Sequence, residues 1–492
     1  MPSETPPRPV GPWHHAGFRT LFTATAFSHL GTHIGYVAMP LIAVSSLDAT
    51  AGEVGLLATL STLAFLLIGL PAGAWVDRMR HRNVLIAADL TRSVLFFSVP
   101  AAWALGVLTL EQLYTVALLQ GCATVFFDVG SQSIIPRLVG RSGLLGANAA
   151  VVGVQAVGNV AGRGAGGGLV ALLTAPFALL STGFLYLGSA VRLYSLGESP
   201  APARPARPVP LGSQIAEGLR HVLHHPELRA LALTASLCNL GSQLVNTLLP
   251  LLFARELGFS AGWLGLFWAM GGLGVLFGSR CARPLAARLG HGRGIGMAAL
   301  FLAPAALVVP LVDRGPLLAL AAVGWMLTTF DIGVNNVLGV SLRQSLTPAP
   351  LLGRMNATFR FMLSGSLAIG SALAGLLGEL VGIRTTLWVG AGCLALAFLP
   401  VLLSPVRTRK ELPSHEPEPR HEPVVHPDPV LPLRDAVAHP EPVHYREPLP
   451  YCEVVGRHEA VAHREAVAHR EAGPHHGGPP HGPMEPRTQS IR

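Results

Sequence analysis

Two histidines, His29 and His33, stand four residues apart in an apolar stretch. On a helix that spacing puts both on one face. Imidazole titrates near neutral pH, so the pair could bind a proton or a ligand, or could be two hydrogen-bonded interior groups. Asp89 and Arg92, three apart, share a helix face and can pair with each other. Arg163 stands among Gly162, Gly164 and Gly166 to Gly168, with no neighbouring side chains to shield it. A guanidinium keeps its charge under ordinary conditions. It must face a wet cavity, meet a carboxylate or reach out to the interface. Asp128 and Asp331 add two carboxylates in apolar surroundings. Other chemistry is missing from the sequence: no nucleotide loop, no zinc-ligand spacing and no nucleophile–base set, which argues against an integral-membrane enzyme or an intrinsic ATP-driven pump. Cys122, Cys238, Cys281, Cys393 and Cys452 are scattered without a CxxC pair. No metal or cofactor is expected.

The elements that must position these groups are long apolar runs. Of 492 residues 50% are hydrophobic and 13% charged, with a mean hydropathy of +0.47; soluble domains carry about 25% charged residues. A bilayer-crossing helix needs about 20 apolar residues. Twelve segments qualify: 18–45, 53–76, 83–107, 111–134, 144–170, 175–196, 228–254, 261–284, 293–312, 316–341, 352–381 and 384–405. Charged groups at that depth cost at least ~2.5 kcal/mol each, so each is a functional candidate. Arg163 would lie roughly 28 Å along its helix at about 1.5 Å per residue, toward the outer face.

Charge divides the chain into two parts. Residues 411–492 hold 13 acids and 8 bases, net −5, leaving 27 bases and 14 acids, net +13, in residues 1–410. The arginines of the body punctuate apolar runs rather than form one basic face, so nucleic acid is excluded as a partner. They fall on one set of loops, from Arg78, Arg80 and Arg82 through Arg137, Arg141 and Arg192 to Arg343 and Arg354, sixteen in all; the opposite loops carry Arg255, Arg314 and Arg384. That bias puts both termini and the 197–227 connection in the cytoplasm of a cell-membrane protein. Residues 1–16 show no cleavable signal pattern. The connection reads as a semi-rigid Pro-rich linker followed by a short surface helix near 215–222. The tail is rich in Pro, Glu and His, holds 11 of the 20 histidines, and repeats Ala460-Val-Ala-His-Arg-Glu at 466. It is expected to be disordered, with irregular histidine spacing unsuited to a metal.

The halves resemble each other. Phe27–Pro40 aligns with Leu237–Pro250, and Ala51-Gly52-x-x-Gly55 with Ala261-Gly262-x-x-Gly265, both at an offset of 210. Phe127-Asp128 aligns with Phe330-Asp331, and Asn148-Ala149 with Asn356-Ala357. Four matches in one order indicate duplication. The expected fold is an all-α membrane protein of 12 transmembrane helices in two parallel six-helix pseudo-repeats, as in rocker-type carriers. The expected parts are an N-terminal segment 1–17, bundles at 18–196 and 228–405, the linker 197–227 and the tail 406–492. Gln243 and Asn246 occupy in the second half the stretch that holds His29, His33 and Tyr36 in the first.

Here a family resemblance emerges. Gly73-Ala-Trp-Val-Asp77-Arg78-Met-Arg80-His81-Arg82 resembles the signature loop of the major facilitator superfamily, with Arg80 for the usual Gly and His81 for a cation. Gly158-x-x-x-Gly162-Arg163-x-x-Gly166-Gly167 resembles its antiporter motif, with Arg163 in the proline place. The Arg-x-x-Gln-Gly motif of proton antiporters is half present, as Gln120-Gly121 with Ala117 in the arginine place. Phe126-Phe-Asp128 through Pro136, followed by Leu144-Leu-x-Ala-Asn148, is similar to the exporter branch that includes enterobactin and macrolide efflux proteins. The resemblance implies a monomeric secondary carrier that moves a small amphipathic molecule out across the bilayer, against protons. It implies that Asp77 latches the cytoplasmic side, with Asp128 meeting Arg78, Arg80 or His81, and Asp331 facing Arg280 and Arg283. It also implies that His29, His33, Tyr36, Gln243 and Asn246 line a central cavity. An importer of the same fold and a non-transporting sensor acting through its tail are the alternatives.

Overall fold

The computed structural model describes residues 12–76, 78–197, 211–348 and 351–409. Asp77, the proline-rich part of the linker and the tail from residue 410 lie outside them, as does the expectation of tail disorder. Apolar runs in lipid must satisfy their own backbone, and helices do so within one segment. The described residues accordingly form helices: α1 (Ala16–Ser46), α2 (Ala51–Val76), α3 (His81–Ala104), α4 (Leu110–Leu173), α5 (Ala175–Tyr194), α6 (Leu211–His224), α7 (Pro226–Leu251), α8 (Ala261–Leu289), α9 (His291–Leu302), α10 (Pro316–Ser345), α11 (Leu352–Leu380), α12 (Ile383–Leu396) and α13 (Leu399–Leu402). Eleven stretches among them are long and apolar enough to cross a membrane.

The fourth and fifth expected spans follow one another without a loop, as two helical limbs joined at Gly140. α4 bends at Gly140, with φ 64° and ψ −179°, and continues beyond it to Leu173. Only glycine occupies that backbone region without strain. Residues 141–173, the second limb, are not among the eleven stretches and fill the fifth place. After α9 the chain tightens into a 3₁₀ run over Ala303–Leu311, where Pro304 and Pro310 supply no helical donor. α6 is the surface helix expected near 215–222. It lies on α11 through Glu217, 2.5 Å from Arg354, and through Gly218 against Thr358. α2 opens with a capping box: Thr50 N–H donates to Glu53 Oε2 at 2.8 Å, and Glu53 N–H to Thr50 Oγ1 at 3.3 Å.

The buried core differs at the two ends. At the end away from the termini one apolar cluster draws on both halves, from Val37–Val44 and Leu57 to Leu248–Phe253, Trp268 and Ala374. At the end that carries the termini there are two clusters. One is built from α1, α3, α4 and α5, the other from helices of the second half. The far end is closed by backbone contact. A Cβ added at Gly167 would lie 2.6 Å from Gly265 Cα, and one at Gly375 would lie 2.9 Å from Gly55 Cα. Small residues allow this approach where no hydrophobic drive separates helix from lipid. Polar contacts also cross there: Gly52 N–H donates to Glu379 Oε2 at 3.1 Å, and Arg255 lies 3.6 Å from Asp48. At the terminus end of the second half, residues 404–409 fold back. Val406 is buried, Gly292 N–H donates to Arg409 O at 3.0 Å, and Arg409 meets the buried Glu227 at 2.7 Å.

Candidate functional site

Beneath the closed end, a cavity lies in the seam between the halves. α1 gives it Thr32, Tyr36 and Pro40, and α7 gives Gln243, Asn246 and Pro250. The 210-residue offset relates Tyr36 to Asn246 and Pro40 to Pro250, so each half supplies the same stretch of its first helix. Offset-related Ala58 and Trp268 also face each other across the seam from α2 and α8. Phe96 and Gln120 also line it.

One side of the cup is an ordered aromatic–amide array. Tyr36 and Trp268 have ring centroids 5.5 Å apart. Trp268 Nε1–H donates to Asn246 Oδ1 at 2.7 Å, and Asn246 Nδ2 donates to Ser242 O at 2.7 Å. The Arg163 guanidinium lies 4.6 Å from the Tyr36 centroid and 5.8 Å from that of Trp268. A cation over an aromatic face is attracted by about 0.5–2 kcal/mol. The Arg163 Nε is buried without a hydrogen-bond partner. Arg163 thus stands behind two rings of the cup wall.

Tyr36, Gln243 and Asn246 line the cup as expected; His29 and His33 do not. The histidines do share a face of α1, but it packs on the second limb of α4. Gly158 and Gly162 make room for them: a Cβ at Gly162 would lie 2.6 Å from His33 Cβ. His29 Nε2 is 3.4 Å from Gln155 Nε2. The antiporter-like glycines form a two-sided packing strip, with Gly158, Gly162 and Gly166 against α1 and Gly167 against Gly265 of α8.

Below the cup, Asp89 and Arg92 pair as the spacing suggested, both buried. Arg92 also donates to Ser28 Oγ at 2.8 Å and lies between the rings of Phe127 and Tyr186, 4.6 and 4.4 Å away. Tyr186 Oη reaches Thr32 Oγ1 at 3.0 Å, which ties this cluster to the cup wall. Around the signature loop, Gly73 has open space where a Cβ would stand, Arg78 and Arg80 are exposed, and His81 is buried at the start of α3. Arg82 donates to Tyr194 O at 2.6 Å. Asp128 forms no ion pair with Arg78, Arg80 or His81, and Asp331 none with Arg280 or Arg283. Depth explains both corrections. Asp128 lies about three turns before the Gly140 bend, and Asp331 about four turns before the end of α10.

A second cavity lies about one turn earlier on the same face of α7, lined by Cys238, Asn239, Ser242, Asn335, Asn336 and Arg343 among others. The Arg343 guanidinium lies 4.5 Å over the Phe359 ring. Sequence reasoning missed Trp268, Gln120 as a wall residue, and this amide-rich pocket. The repeat offset from Ala58 was the available signal for Trp268, while an isolated aromatic in an apolar span carries none.

A family model described as "Transmembrane secretion effector" matches residues 8–430. An enterobactin exporter, EntS, of Salmonella choleraesuis is 28% identical over 375 residues, covering 75% of this chain and 87% of that protein. The EntS of Escherichia coli O81 is 29% identical over 384 residues, covering 75% and 86%. Among solved structures, the nucleoside transporter NupG superposes with a TM-score of 0.66 at 12% identity, over 79% of this chain and 99% of that one. A bacterial homologue of the iron transporter ferroportin, in an inward-facing state, gives 0.63 at 18% identity over 80% and 99%.

Proposed function

The chain belongs to the transmembrane secretion effector family of major facilitator transporters, and from that premise we propose that it exports a small amphipathic molecule by alternating access, driven by protons. The observation that carries this reading is the cup: a seam cavity closed at one end by glycine crossings, with the core divided into two clusters at the other. The arginine bias of the loops supports a cytoplasmic placement of the divided end. In that orientation the carrier stands ready to load from inside. The relatives that export enterobactin support the outward direction.

Asp128, half-buried and without an ion pair among the described residues, supports the proton reading as a group free to take and release a proton. Accumulation assays in cells, using a panel of antibiotics and siderophores with and without an uncoupler, test the proposal. Export predicts lower accumulation in expressing cells, reversed by the uncoupler. Higher accumulation of any panel member on expression would favour an importer instead.

A further inference from the structure

Among the described residues, the arginines inside the protein meet acceptors, with two exceptions. Arg92 pairs with Asp89, Arg354 with Glu217, Arg384 with Glu256 and Asp313, and Arg409 with Glu227. Arg82 donates to a backbone carbonyl. Arg163 and Arg343 meet no carboxylate among the described residues, and the Nε of each is buried without a partner. Each guanidinium is covered by an aromatic ring instead. A cation removed from water without a counter-charge is held at a substantial desolvation cost, which an aromatic face offsets only in part.

Both exceptions stand at the cavities. Arg163 backs the Tyr36–Trp268 side of the cup, and Arg343 lines the second pocket. The two cavities share one face of α7, with Asn239 and Ser242 in the pocket about one turn before Gln243 and Asn246 in the cup. Neither cavity has an aspartate or glutamate among its described lining residues. The walls offer ring faces from Phe96, Tyr36 and Trp268, and amide groups from Gln243, Asn239 and Asn335. A ligand cation would find the faces of Tyr36 and Trp268 already opposed by the charge of Arg163.

We infer that the two cavities take an aromatic anion, an acid or ionised phenol carried on a planar ring, whose negative group supplies the counter-charge that Arg163 and Arg343 lack. The inference rests on the reading of the cup as the substrate path and names the class of substrate that path accepts. The anion meets Arg343 in the polar pocket nearer the terminus end and comes under the field of Arg163 in the cup. Its ring stacks among the aromatic residues of the wall.

A matched series tests this with the purified full chain in lipid nanodiscs. Isothermal titration would compare 2-naphthoate, the neutral 2-naphthamide and the 2-naphthyltrimethylammonium cation. The naphthoate should bind at least about tenfold more tightly than the amide, matching the discrimination expected of a charge-assisted contact, and the cation should bind most weakly. In the Arg163→Gln/Arg343→Gln variant the naphthoate should fall to within about twofold of the amide, as loss of that charge-assisted contact requires. Unchanged amide binding would show that the variant keeps its cavity. Should the variant fail to fold, the wild-type ranking of the three probes still decides. Cation binding equal to that of the anion, absence of naphthoate binding, or an anion preference that survives in a folded double variant would each overturn the inference. A naphthoate preference without outward transport would fault the export reading and leave this one standing.

Discussion

At the scale of single residues, the Asp89–Arg92 pair shows what an arginine needs in order to be buried. Its guanidinium has a carboxylate, a serine hydroxyl and two ring faces around it. Removing one member of such a pair leaves the other charge uncompensated, at about 3–5 kcal/mol, whereas replacing both by apolar groups can be neutral. Arg92→Ala should therefore lower the melting temperature of the full chain sharply, and the double variant Asp89→Leu/Arg92→Met should recover most of the loss. Equal losses in the single and double variants would contradict this account. The three-residue spacing made the pair legible in the sequence, because partners on one helix are fixed by local geometry. The histidines were legible only in part. Their four-residue spacing gave a shared face, but which neighbour that face meets depends on how α1 packs, and Gly158 and Gly162 drew it toward α4.

At the scale of elements, glycines do two separate kinds of work. Gly140 is needed for its backbone angles, and nothing lies within 4 Å of where its Cβ would stand. Gly140→Ala should cost about 1–3 kcal/mol through backbone strain alone. Gly153→Ala, in the same helix with equal space and no positive φ, should be neutral or stabilising. Thermal melts of the two variants would separate strain from crowding; similar shifts would remove the strain argument. The glycines of the far-end crossings are needed for closeness instead. Ala171 Cβ lies 3.6 Å from where a Cβ on Gly262 would stand, within the range of about 3.5–4.5 Å that a disulfide spans. Ala171→Cys/Gly262→Cys should cross-link on oxidation, arrest transport and recover on reduction. Cross-linked protein that still transports would mean that the far end need not open. The repeat offset made the paired stretches of Tyr36 and Asn246 on the cup readable in advance, but not which glycines cross. That the two limbs of α4 join at Gly140 alone was not readable, because a sharp turn at one glycine and a loop look alike where glycine follows an apolar run.

At the scale of the whole molecule, the two halves touch through backbone at one end and have separate cores at the other. The second half is also closed by its own C-terminal turn. With Val406 buried and Arg409 on Glu227, residues 405–409 act as part of that half rather than as the root of the tail. A chain ended after Arg409 should keep its melting temperature and transport. One ended after Ser404 should lose a few kcal/mol, since it gives up a buried valine side chain and leaves a buried carboxylate without its cation. Comparable stability of the two truncations would show that the turn contributes nothing. The broad architecture was legible because twelve apolar runs and a charge bias leave few alternatives. The charge placement within the seam was not, since it depends on contacts between helices far apart in sequence.

Pro40 and Pro250, related by the repeat and both on the cup wall, carry a mechanical consequence. Neither can donate to the carbonyl four residues earlier, so Tyr36 and Asn246 each lose a helical hydrogen bond at the height of the cup. Each half thus has a compliant joint at the level of the cavity. In α7 part of the slack is already taken up, since the chain widens into a π turn over Leu252–Glu256 just beyond the proline. Force applied to the ring faces of the cup is applied at those joints. On the reading of the cup as the substrate path, a bound cargo would press on α1 and α7 at those joints and act as the lever that flexes them.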